Sequence, residues 1–504
     1  MRILIAFLLF GLVGLFVSPV LAAEKANAER PNIVWLIVED MSADFGCYGE
    51  TAIKTPNVDA LAKGGVKFTN AVVTAPVCSA CRSALITGMY QTSIGAHHHR
   101  SGRGELKIQL PDKVRLVPEL FQEAGYLTNN LTFQDFVRPE KQLELNAAVK
   151  TAKTDYNFEW NADAYDATHW ARRKEGQPFF AQVQLRGGKL RGHGDGDAWP
   201  AKAKQTLGSN TPTDAFTLPP YLPADPVILR DWAQYLDAVR YTDWEVGQIV
   251  ERLREAGELD DTYIFFITDH GISHVRNKQF CYEGGVHIPL IVRGPGIEAG
   301  TVRYDPVEHI DLAAASLALA GVEAPQWMQA RDILADDYSP RGFVFSARDR
   351  CDETVDHIRS ARTQRYKYIR NFLPDRPYLQ PNVYKDGKPI QQTMRRLHAA
   401  GELNEAQAQI MASSRPPEEL YDLERDPHEL HNLADDPEYA DMLLGMRKAL
   451  DRWIKQTGDR GQQPESQAMY DSDMAAYLKG RQDERAAQTR RNIALMKKLA
   501  AEGK

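Results

Sequence analysis

The chain has 504 residues, 43% of them hydrophobic, and a formal net charge of -7. That length exceeds one small core and suits a large α/β domain with a smaller companion. The acidic balance excludes a protein that gathers nucleic acid or anionic lipid over its whole surface, so an anionic ligand must be met by a local cluster of Lys, Arg and His.

Residues 1–22 read as an export signal. Arg2 gives a positive start, Ile3 to Val17 is apolar, and Val20-Leu21-Ala22 offers small residues for cleavage. The run is shorter than a membrane span, so no stable membrane insertion is expected, an uncleaved anchor being the alternative reading. Export to the periplasm or the medium with only five cysteines, an odd number, argues against a disulfide scaffold.

After Pro31, Asn32 to Val38 is a continuous apolar run of the kind a central strand covered on both faces shows. Glu39 and Asp40 follow at its carboxyl end, where open α/β sheets place ligand sites. Phe179 to Leu185 reads as a second strand. From Asp231 to Glu255 the apolar residues recur at helical spacing until Gly257. Thr262 to Ile267 is another buried strand with Asp269-His270-Gly271 at its end, and Pro289 to Val292 a further one. Strands alternating with helices predict a doubly wound, mostly parallel α/β sheet over residues 31–340. Short β-prone pieces such as Arg365 to Ile369 then predict a smaller antiparallel subdomain over 341–460, and 461–504 reads as a charged, solvated helical tail rather than a partner site.

The most informative segment is Cys78-Ser79-Ala80-Cys81-Arg82-Ser83-Ala84-Leu85-Ile86-Thr87-Gly88. As a C-x-x-C pair it suits a thiol redox couple or half a zinc site, but Cys47, Cys281 and Cys351 are scattered singly and supply no second half. Read whole, it resembles the C-x-[PA]-x-R…TG element of type I sulfatases, in the alkaline phosphatase superfamily. The resemblance runs from Pro31 to about Asp459 and looks closest to bacterial glycan sulfatases of the N-sulfoglucosamine sulfohydrolase type.

The resemblance implies that a formylglycine-generating enzyme converts Cys78 to formylglycine (3-oxoalanine), whose hydrated form attacks sulfur. It implies a divalent cation, Ca2+ or by ligand type Mn2+, held by Glu39, Asp40, Asp269 and His270 together with residue 78. Arg82, one helical turn beyond Cys78, would steady the hydrated aldehyde. Lys278, in a segment resembling K-x-x-x-Y-E-G-G-V-x-x-P, and Lys153 would bind sulfate.

Two histidines of the family pattern are missing: Asp155 stands at one place, and near the other lie Lys189 and His193. His98 or His99, from the His97-His98-His99 run, is the expected proton carrier, since imidazole titrates near neutral pH. Arg100, Arg350 and Arg376 are candidates for reading a uronate or a second sulfate. The implied substrate is a sulfated oligo- or polysaccharide, as an O-sulfate or an N-sulfate. The alternatives are a phosphonate monoesterase or phosphodiesterase of the same superfamily and an inactive glycan-binding homologue.

Overall fold

The computed structural model describes residues 30–138, 150–191 and 198–503. The expected export signal and His193 lie outside them.

Alternation along the first strand explains the architecture. In β1 (Asn32–Val38) Val34, Leu36 and Val38 enter one apolar core while Ile33, Trp35 and Ile37 enter another. A strand buried on both faces has no polar side to show, hence its unbroken apolar sequence. The strands β2 (Val66–Val72), β3 (Leu127–Thr132), β4 (Phe179–Leu185), β5 (Thr262–Thr268), β6 (His287–Arg293), β7 (Thr301–Arg303) and β8 (Val307–Glu308) complete the sheet. Its order is β3-β4-β1-β5-β6-β2-β7, with β8 also on β2, and only β6 runs against the others. Helices α1 (Cys78–Thr87) and, later in the chain, α2 (Pro226–Glu255) pack into opposite cores, so the sheet is doubly wound. Helix α2 begins five residues before the sequence expectation, because Asp225 caps it and Pro226 takes the first helical position.

The strands β9 (Val344–Arg348), β10 (Ile358–Arg362), β11 (Tyr366–Asn371) and β12 (Glu418–Asp422) form a separate antiparallel sheet in the order β12-β11-β10-β9. Helix α3 (Ala440–Thr457) covers it with Leu443, Met446, Leu450 and Trp453. The sheets abut, Ala347 N donating to Thr74 O at 2.8 Å, and Pro31–Lys504 forms one compact unit.

The tail departs from expectation. It is helical, as α4 (Gln467–Leu478) and α5 (Glu484–Ala501), and largely solvated, but one face of each helix is covered: Tyr470, Asp473, Met474, Thr489, Asn492 and Met496 are buried. Much of that buried face is polar, which is why apolar periodicity did not reveal it. No described helix is long and apolar enough to cross a membrane.

Candidate active site

Parallel register brings three loops together. Val38 lies beside Leu185 on one side and Thr268 on the other, so Glu39-Asp40, the turn after β4 and Asp269-His270 leave one edge of the sheet side by side. The turn after β4 comes unusually close: a Cβ at Gly188 would sit 2.0 Å from Asp40 O. Glycine there lets the turn lie against the β1 loop and carry Lys189 over the site.

Helix α1 delivers Cys78 at its first position and Arg82 one turn later, and all ten of its residues are buried. Cys78 Sγ lies 3.0 Å from His270 Nε2, 3.2 Å from Lys278 Nζ, and 3.8 Å from both Lys189 Nζ and Asp40 Oδ1. Burial pushes the thiol up, but Lys153, Lys189 and Lys278 outweigh it and bring Cys78 down to about 7. The same lysines hold anions elsewhere. Lys278 donates to Asp40 Oδ1 at 2.8 Å, while Lys153 and Lys189 both donate to Glu39 Oε2. Burial would raise Asp40, yet Lys278, Lys189 and His270 hold its carboxyl well below the usual range.

Arg82 is fixed from behind. Its Nε donates to Asp269 Oδ2 at 3.1 Å and its Nη1 to Gln184 Oε1 at 2.7 Å. Gln184 passes the order on to Asn130, which donates to the backbone oxygens of Ala152 and Lys153 and so positions the Lys153 segment. Arg82 Nη2 is buried with no hydrogen-bond partner among the described residues, a donor held ready for an anion.

The residues fit a divalent cation. Asp40, Cys78 and His270 offer donor atoms within 4.8 Å of one another, as do Glu39, Cys78 and Asp269. His270 Nδ1 lies 2.9 Å from Gly271 O; a carbonyl only accepts, so Nδ1 carries a proton, and Nε2, 3.3 and 3.5 Å from Asp40 and Asp269, is the nitrogen that would bind an ion on giving up its own proton. Three carboxylates with one imidazole form an oxygen-rich donor set that a hard cation matches.

Glu39, Cys78, Lys153, Lys189 and Lys278 line a cavity of about 310 Å³, and His99 is in its wall. Ser79 Oγ accepts from Arg100 N at 2.9 Å and lies 2.7 Å from His99 Nδ1, a hydrogen-bond contact that fixes the ring. His99 Nε2 lies on the other side of the ring, 3.7 Å from Asp352 Oδ1.

Three expectations are corrected. His98 turns into a different cavity, its Nδ1 accepting from Arg350 N at 3.3 Å. Arg350 is 1% exposed and its guanidinium is engaged by Glu465, Asp473 and the carbonyls of His99 and Asp352, leaving no face for a substrate. Arg376 lines the cavity of His98, not that of Cys78, and donates to Val355 O at 2.6 Å. In the redox reading Cys78 and Cys81 would pair; both are free thiols, and Cys81 points into the core beside Ala80 and Leu85.

Sequence reasoning missed Gln279, Asp352, Tyr384 and Tyr477, which complete the cavity wall. Gln279 and Asp352 share a backbone feature with other residues of the site. Of the six described non-glycine residues with positive φ, Arg100, Asp155, Gln279 and Asp352 line the cavity and Asp40 touches Cys78. Backbone strain of this kind gathers where function over-determines the chain.

The comparisons with known proteins agree with this geometry. A family model described as sulfatase matches residues 31–322, and one described as N-sulphoglucosamine sulphohydrolase, C-terminal, matches residues 270–396. An ulvan-active sulfatase of Formosa agariphila is 34% identical over 490 residues, covering 88% of this chain and 78% of that protein. The human N-sulphoglucosamine sulphohydrolase is 26% identical over 474 residues, covering 86% and 91%. A solved sulfatase structure from Bacteroides fragilis superposes with a TM-score of 0.62 at 19% identity, covering 90% of this chain and 99% of that one. The chain belongs to the sulfatase family and is a sulfuric ester hydrolase.

Proposed function

We propose that this sulfatase removes sulfate groups from a sulfated oligo- or polysaccharide outside the cytoplasm, with residue 78 as the reacting centre. The observation that carries the reading is the convergence of Arg82, Lys153, Lys189 and Lys278 with three carboxylates on one side chain at a helix amino end. A relative named for ulvan and another for N-sulphoglucosamine support a sulfated sugar as the substrate class.

Formylglycine formed from Cys78 by a maturation enzyme, with a divalent cation beside it, supplies a hydroxyl nucleophile and offsets charge on the sulfate. Glu39, Asp40, Asp269 and His270 are the residues that would hold the ion, Ca2+ by the oxygen donors and Mn2+ as the rival that His270 admits. Around it, this chain's own groups have separate tasks. Lys153 and Lys189, at the more open side, receive sulfate oxygens. Arg82 Nη2 and Lys278 Nζ stay beside residue 78 and stabilise negative charge as it develops there, without reorganising. His99, in the cavity wall with its Nδ1 against Ser79 Oγ, is the proton donor to the departing sugar oxygen or nitrogen in its imidazolium form, which returns to the neutral ring as the proton leaves.

The test is peptide mass spectrometry of the segment from Val77 to Arg82 after co-production with a formylglycine-generating enzyme. Sulfate release is then measured from defined sulfated oligosaccharides, an aryl sulfate and an aryl phosphonate. Aldehyde or its hydrate at residue 78 together with glycan desulfation is expected. An intact thiol in active material, sulfate release by Cys78→Ala, or preference for the phosphonate overturns the reading.

A further inference from the structure

The tail that follows residue 460 extends beyond the segments matched by the family models, yet it reaches the active site. Helix α4 is fastened to the two loops that carry His99 and Asp352. Asp473 accepts from Arg350 Nη2 at 2.7 Å and from Arg103 N at 3.1 Å, and Ser472 Oγ accepts from Leu106 N at 2.9 Å. The approach is close: a Cβ on Gly104 would fall 2.1 Å from Ser472 O. On the other loop, Tyr470 donates to Glu353 O at 2.8 Å, and from α5 Asn492 donates to Glu353 Oε1 at 2.8 Å.

Arg350 joins the three pieces. It binds Glu465 through both carboxylate oxygens at 2.6 and 2.8 Å, while its Nη1 donates to Asp352 O at 2.9 Å and His99 O at 3.3 Å. Asp473 and Tyr477 are four residues apart on α4 and so share one helix face. With Asp473 anchored, that face sets Tyr477 in the wall of the Cys78 cavity beside Arg100 and Asp352. Exposure rises outward from the reacting centre: Cys78 and Lys278 are each 3% exposed, Tyr477 is half-buried, and the Arg100 side chain is 45% exposed. Arg100 reaches Asp352 Oδ1 only at 4.0 Å, so its guanidinium retains donors for a ligand.

We propose that helix α4 is the specificity wall of this enzyme: Tyr477 packs on the pyranose unit adjoining the sulfated one, and Arg100 binds that unit's carboxylate or second sulfate. Sugar rings present C–H faces that an aromatic ring covers, and a guanidinium matches either oxyanion through paired N–H donors. The inference rests on the glycan reading above and adds which part of the chain reads the neighbouring sugar.

The experiment uses the full chain with Tyr477→Ala, Tyr477→Phe and Arg100→Gln. Probes are sulfated tetrasaccharides from ulvan and from heparan sulfate, their carboxyl-reduced counterparts, and 4-methylumbelliferyl sulfate. In Tyr477→Ala the ratio of kcat/KM on the preferred tetrasaccharide to that on the aryl sulfate is expected to fall about tenfold or more, as truncation of an aromatic anchor does. Tyr477→Phe, which keeps the ring, is expected to hold the ratio within about threefold. Arg100→Gln removes the preference for the uronate over its carboxyl-reduced form if the carboxylate is read, and leaves that preference while weakening oversulfated substrates if the second sulfate is read. Calorimetry on the Cys78→Ala chain measures tetrasaccharide binding without turnover, so a wrong view of the chemistry does not mask the outcome. Unchanged ratios with unchanged binding in Tyr477→Ala, or no binding of any tetrasaccharide by the parent chain, overturns the proposal.

Discussion

Replacing Arg350 by methionine separates a residue that braces the pocket from one that reads the substrate. The guanidinium is buried and donates five hydrogen bonds, three to Glu465 and Asp473 at 2.6 to 2.8 Å and two to the carbonyls of His99 and Asp352. Methionine keeps the length of the stem but strands two carboxylates, and removing one partner of a buried ion pair costs about 3–5 kcal/mol. Glu465, 8% exposed, can still draw water, which places the loss near the lower end, about 3 kcal/mol. Burial already holds the Glu465 carboxyl above its usual value against the pull of Arg350. Without Arg350 it rises further, so the folded variant binds a proton more tightly than the unfolded chain does. Its deficit is therefore small in acid and grows as pH rises through that raised value. Urea unfolding at about pH 5 and about pH 8 measures both terms. Neutralising the stranded pair, Glu465→Gln with Asp473→Asn in the same chain, is expected to recover most of the loss. A stability cost under about 1 kcal/mol combined with a raised KM for the sugar would mean that Arg350 contacts substrate, and would refute the bracing role.

Three further outcomes are expected. Lys278→Met, which removes a buried donor 3.2 Å from Cys78 Sγ, should lower kcat by about 10²–10³ in fully converted protein, and a loss under tenfold would remove Lys278 from the charge-stabilising set. His99→Gln should slow release from a sugar, a poor leaving group, by about 10² or more while slowing a nitrophenyl sulfate far less; equal losses on both would count against a proton donor. Glu245, buried on α2 with Oε2 unpartnered among the described residues, is pushed by burial to about 8 despite Lys202 and Arg186. Since that exceeds the ordinary 4.5, its contribution is full in acid and lost as pH rises, by on the order of 3 kcal/mol between pH 4.5 and about 7. Glu245→Gln should flatten this slope, read from unfolding midpoints across that range.

What could be read from the sequence and what could not divide along a physical line. The strands β1 and β5 were legible because burial on both faces forces continuous apolar runs, and the carboxylates beyond them followed from sheet geometry. Lys189 was visible as a residue but not as a neighbour of Glu39, since its position depends on the close approach that Gly187 and Gly188 permit. The tail was misread for a different reason. The buried face of α5 includes Thr489 and Asn492, whose polar atoms bond to Arg485 O and Glu353, so the helix looks solvated to any reading based on hydrophobic period. Asp352 and Gln279 carried no signal either: glutamine is not a residue type favoured at positive φ, and aspartate, though favoured there, is too common in the chain to single out one position.

That last group bears on why the pocket is built from so many distant segments. Each non-glycine residue held at positive φ costs about 1–3 kcal/mol, and five of them surround residue 78. A single loop could not retain such conformations by its own hydrogen bonds, so the restraint must come from outside it. Asp40 N is held by Asp269 Oδ1 at 3.0 Å, Gln279 N by Pro76 O at 2.8 Å, Arg100 N by Ser79 Oγ at 2.9 Å, and Asp352 O by Arg350 at 2.9 Å. The first three restraints come from other segments; the fourth comes from Arg350 in the same loop, and that side chain is in turn fixed from outside it by Glu465 and Asp473 of the tail. The C-terminal helices thereby act on the chemistry at a distance: they keep the His99 and Asp352 loops in a geometry those loops would not hold alone.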